Sequence, residues 1–165
     1  MTFRLRDADT TLRLFLTAFL VVLSIGYAIG LFFVEHTTSL SSQGIQEQFL
    51  GSANLETIQE MQYAKSANEM YVFLHNHILS LSLVFFALGG IFYFSSLVSD
   101  GVKKFLIVEP FIAVVTTFGG IVLIRFVSPL FSWLVLLSGV SLFVCYCVMG
   151  YLILRELWFP GQKQR

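Results

Sequence analysis

Three histidines are the residues of this chain best suited to chemistry, and their spacing concentrates them. His36 closes the first long apolar run, and His75 and His77 open the second. Imidazole is the commonest protein ligand of haem iron, copper and zinc, and polar groups at membrane depth are costly unless used. If the chain crosses a membrane and returns between those runs, all three rings lie at one boundary. The expectation is one b-type haem there, or in its place a copper or zinc ion. His36 and either His75 or His77 would be the ligands, and Arg125, near the matching end of a later span, would steady a propionate. His75 and His77 are two residues apart, so on a regular helix they diverge and cannot chelate one ion together.

The other chemistry-bearing residues are few. Glu109, followed by Pro110, falls inside an apolar run; it could relay protons, but pairing with Lys103, Lys104 or Arg13 is the expectation. Cys145 and Cys147 point roughly 200° apart on a helix and read as small apolar helix residues. No HExxH, GxSxG, phosphate-binding glycine loop or CxxCH occurs, and no helix carries two histidines spaced for stacked haems, which disfavours a hydrolase, a kinase or a transmembrane two-haem cytochrome. Whether the chain is an enzyme stays open.

The elements that must position these residues are read from composition. Apolar residues make up 56% of the chain and charged residues 12%, with a mean hydropathy of +0.81, whereas soluble domains are about a quarter charged. Ten basic and ten acidic residues cancel, so nothing points to nucleic acid. The runs 12–34, 73–98, 105–127 and 130–154 are each long enough to cross a hydrocarbon core about 30 Å thick. They lack the period-two alternation of barrel strands. The fold expected is an all-α, four-transmembrane-helix bundle forming a single membrane domain over residues 1–165. The first run exceeds a signal-peptide core in length and lacks a small-x-small cleavage site, so it reads as a retained span.

Basic residues orient the bundle. Arg4, Arg6 and Arg13 precede the first span, Lys103 and Lys104 fill the second connection, and Arg155, Lys163 and Arg165 follow the last. The positive-inside rule then places both termini in the cytoplasm and residues 37–72 outside, in the periplasm if the host is a bacterial inner membrane.

That outer segment is expected to be helical. A turn over 37–44 leads to a short amphipathic piece, Ile45–Leu50, ending at Gly51. Asn54 is a fair N-cap, and no Gly or Pro interrupts 55–88, so the second span reads as one long helix starting at Leu55, with Lys65 and Glu69 as an i, i+4 pair. A proline at Ala67 would break such a helix.

Helical-wheel arithmetic assigns faces. On the second span, Ile78, Leu81, Phe85, Leu88 and Phe92 form a bulky apolar arc read as lipid-facing. His75, Ser82, Gly89 and Tyr93 share an opposite polar and small face read as packed, so His75 is expected to point into the bundle. Gly26-x-x-x-Gly30 and the Ser138, Ser141, Cys145 stripe read as close-packing surfaces within the chain. Two functions fit. One is a cytochrome-like subunit carrying electrons within a larger membrane complex. The other is a cofactor-free membrane subunit or assembly protein docking a membrane or periplasmic partner through residues 43–70; a homo-oligomer is the remaining partner expected. A Soret band in the purified protein separates them.

Overall fold

A computed structural model describes residues 3–51 and 63–159. Five α-helices carry the fold: α1 (Thr10–Thr38), α2 (Ser42–Leu50), α3 (Ala67–Phe92), α4 (Asp100–Phe126) and α5 (Ser132–Trp158). α1, α3, α4 and α5, the last with the 3-10 turn Pro129–Phe131 in front of it, are long and apolar enough to cross a membrane. The protein is thus an all-helical membrane bundle, its spans running alternately between a terminal end, where both described chain ends lie, and a distal end.

The core is built by α3, α4 and α5. Phe85, Leu88 and Phe92 of α3, Val114, Phe118 and Ile121 of α4, and Leu142, Met149 and Ile153 of α5 are all buried. This corrects the face assigned to α3: the arc containing Phe85, Leu88 and Phe92 is packed and His75 and Tyr93 are exposed, while Gly89 of the polar and small face is buried as expected. Lipid and protein interior are both apolar in a membrane, so bulk and hydrophobicity do not tell one from the other. Gly120 brings α4 and α5 together; a Cβ there would lie 2.7 Å from a Val135 methyl.

α1 stands apart. Its contacts are with α5 and α2, through stacked Tyr27 and Tyr146 rings 4.0 Å apart, a Ser24–Tyr146 hydroxyl pair at 3.0 Å and a Trp158 Nε1–H donated to Thr17 Oγ1 at 2.9 Å. Gly26 and Gly30 are exposed with no atom near enough to contact an added Cβ, so the glycine pair does not serve intrachain packing.

Each end is closed by a short element. At the terminal end the 3-10 turn Leu5–Asp7 buries Leu5, whose N–H donates to Phe94 O, and Arg13 ties the turn down by donating to the carbonyls of Ala8 and Arg6. Distally, α2 lies across the bundle with Ile45 and Phe49 buried. Gly44 permits its sharp return from α1, because a Cβ there would sit 2.5 Å from the Thr38 carbonyl carbon.

Both boundaries of the second span differ from the sequence reading, and helix also takes in Thr37, Thr38 and residues 42–44, where a turn was expected. Residues 63–66 are not helical, so α3 does not start at Leu55; Asn54 and Leu55 themselves lie outside the described residues. Ser66 caps α3 in a reciprocal box with Glu69, which uses the carboxylate assigned to Lys65, while the Lys65 N–H donates back to Phe49 O. α3 therefore projects only from Ala67 to Val72 beyond the predicted span. It also ends at Phe92 rather than Val98, because Ser95 and Ser96 are drawn into a turn by Glu156.

Candidate functional site

The chain path returns all three histidines to the distal end but does not group them. His36, in the last turn of α1, and His75, in the third turn of α3, are exposed. His77 is half-buried, its Nδ1 2.9 Å from Phe73 O and its ring lying against Phe73 and Phe118, with centroids 4.2 and 5.7 Å away. Among the described residues no cluster of three or more His, Cys, Asp or Glu forms a metal-binding group. The His36 and His75 rings are exposed, and the His77 ring is flanked by phenyl rings. Arg125 is used elsewhere: its Nε–H donates to Lys65 O at 2.9 Å and its guanidinium lies over Phe126, so it pins the segment entering α3 to the end of α4.

The polar chemistry lies instead between α4 and α5. Glu109 is half-buried and does not pair with Lys103, Lys104 or Arg13. Ser141 donates its hydroxyl to Glu109 Oε1, and the Cys145 thiol donates to Oε2 at 3.0 Å. One to two turns along, the Thr117 hydroxyl donates to Ser138 at 2.7 Å. The stripe of Ser138, Ser141 and Cys145 is therefore a ladder of hydrogen-bonding groups as well as a packing surface. The signal was in the sequence. Small polar residues at i, i+3 and i+7 of an apolar helix imply a polar partner on its neighbour, and Glu109 is the one acid within the third span.

Glu156 was not singled out by sequence, and it is 1% exposed. Its carboxylate accepts from Ser95 Oγ at 2.5 Å, Ser96 N at 2.9 Å and Ser96 Oγ at 2.6 Å, closing the α3–α4 connection against the last turn of α5. With every donor accounted for, it is a structural clasp. No periodic pattern betrays it, because its partners lie in a loop.

Comparison with known proteins gives one match, a family of transmembrane helical domains, Aq_1264_TM, whose pattern covers residues 39–164. The chain belongs to that family. The matched region takes in α2, α3, α4 and α5 and leaves out α1 as far as Thr38, so the part shared with the family is the packed core and its distal lid, while the loosely attached first span precedes it. No curated protein and no solved structure matches this member.

Proposed function

We propose that this member of the Aq_1264_TM family is a cofactor-free membrane subunit that works by assembly, with its first span as the assembly element and a second copy as its partner. The observation that carries the reading is the state of α1. Only 6% of its most apolar stretch is buried, against 44% for α4, and the Gly26 and Gly30 backbone lies open on its surface. Paired glycines four apart let two helices approach backbone to backbone. Two copies inserted in the same sense bring identical ridges together about a twofold axis, which needs no other chemistry. Docking through α2, the other route considered from sequence, has less support, since Ile45 and Phe49 are already consumed in closing the bundle. The haem reading has less support too, because His36 and His75 face outward and His77 is engaged by Phe73 and Phe118.

Cysteine cross-linking in lipid vesicles tests the proposal. In a Cys147→Ser background, Gly26→Cys should give a disulfide-linked dimer, and adding Gly30→Leu should abolish it. A monomer under all conditions would overturn the reading. So would a Soret band that disappears in His75→Ala, which would restore the cytochrome-like function.

A further inference from the structure

Glu109 is placed where a carboxyl is hardest to keep. It stands nine residues into α4, about 14 Å along the axis at 1.5 Å per residue, and its partner Cys145 is at the middle of α5. That depth lies inside the hydrocarbon layer a bundle of this length spans. The single ion pair among the described residues joins Arg6 and Asp7 near the chain start, so no cation offsets Glu109. On each element packed against α4 the facing groups are weak or absent. α5 offers the Ser141 hydroxyl and the Cys145 thiol, and its Tyr146 turns away to Ser24 and Tyr27 of α1. α3 presents Gly89 to Ile107, and α2, with Glu47, reaches α4 at the distal end. Lys103 and Lys104 lie five and six residues earlier on α4 itself.

A second feature adjoins the acid. Pro110 has no N–H, so the carbonyl of buried Leu106 loses its donor four residues on. A free acceptor therefore sits one turn from Glu109, towards the terminal end, and the backbone there lacks one of the bonds that stiffen a helix. An ionisable side chain at membrane depth with a broken hydrogen-bond ladder beside it is the arrangement found where protons or ions are handled.

We propose that Glu109 is a proton-exchange site, with Ser141 and Cys145 as its positioning residues. In its protonated form the carboxyl donates its O–H within the Ser141 and Cys145 cluster. When water reaches the seam from the terminal side past the Leu106 carbonyl, the O–H bond breaks and the proton passes to that water. The carboxylate left behind accepts from Ser141 and Cys145, and re-entry of a proton by the same route restores the acid. The site does not depend on association through α1, so its test stands separately.

Infrared difference spectra of the full-length protein in lipid vesicles, taken between acidic and alkaline buffer, read the carboxyl directly. A carbonyl stretch of a protonated carboxylic acid should be lost on alkalinisation, be absent in Glu109→Gln, and shift in frequency in Ser141→Ala and Cys145→Ala. The hydrophobic reagent dicyclohexylcarbodiimide, which attacks protonated carboxyls in apolar surroundings, should label Glu109 in acidic buffer and lose most of that label in alkaline buffer. The proposal fails if the band survives Glu109→Gln, or if it ignores both pH and exchange into D2O. It also fails if Ser141→Ala and Cys145→Ala, verified as folded by circular dichroism, leave band and labelling unchanged. A static interhelical hydrogen bond would respond to those two substitutions but not to pH.

Discussion

Gly44→Ala is the sharpest test of how α2 is held over the distal end. The added Cβ would lie 2.5 Å from the Thr38 carbonyl carbon, 2.9 Å from its Cα and nearer still to its oxygen. Carbon atoms in good contact stand about 3.5 Å apart, so the two backbones must separate by about 1 Å. That carbonyl accepts the Ser41 N–H at 3.0 Å and the Ser41 hydroxyl at 3.1 Å, and the displacement strains both bonds. It also lifts Ile45 and Phe49 from their contacts and stretches the bonds from Ser42 and Gln46 to Ser132. Overpacking of this kind costs typically about 1–3 kcal/mol, and replacing a helical glycine by alanine returns about 0.5–1 kcal/mol. The net expectation is a loss of about 1–2 kcal/mol, against a gain for Gly119→Ala, where no atom lies within 4 Å of the new Cβ. Thermal unfolding in detergent followed by circular dichroism compares the two variants with the parent. Unfolding of Gly44→Ala at or above the parent's midpoint would refute the claim that backbone contact at Thr38 forces glycine here.

Glu156→Ala removes the acceptor for Ser95 and Ser96 and should destabilise the bundle by about 2–4 kcal/mol, measured by the same unfolding experiment; a change below 0.5 kcal/mol, the order of an ordinary surface substitution, would contradict its role as a clasp. Ala67→Pro should be tolerated, because Ala67 is the first residue of α3 behind its Ser66 cap and proline suits that position. Val72→Pro, one and a half turns in, should cost about 3 kcal/mol, and equal sensitivity at the two sites would mean the helix starts earlier. Reporters fused after Phe159 and inserted beside Gly51 should read opposite sides of the membrane, the first cytoplasmic, as the basic residues at the terminal end imply; both on one side would undo the alternation of spans.

The four spans were legible because apolar runs of that length have few other uses, and Ile45–Leu50 was legible as a separate amphipathic piece. Their caps were harder to read. Asp9 starts α1 by accepting the Leu12 N–H at 2.8 Å, and Ser66 starts α3, yet Asn54 offered the same chemistry twelve residues earlier. The faces were harder still. Polarity put His75 inside and Phe85 outside, and the reverse holds, since within a membrane apolar bulk can face either lipid or protein. Glu109 was visible as an oddity, but its partners required knowing that α4 and α5 pack along the Ser138–Cys145 stripe.

The bonds that close the two ends also impose an order on making the molecule. Glu156 meets Ser95 and Ser96 across 61 and 60 residues of chain, and Ser132 meets Ser42 across 90. At ribosomal speeds of roughly 5–20 residues per second, the α3–α4 connection waits some 3–12 seconds for its acceptor to be synthesised, and α2 waits longer for its anchor. Until α5 emerges, the growing chain holds three spans, two of them joined by an unclasped loop, and an amphipathic helix that lacks its anchor at Ser132. Insertion of the last span is the event that shuts both doors. A lesion that delays α5 therefore prolongs a half-built intermediate open at both membrane faces, even where every earlier helix has inserted correctly.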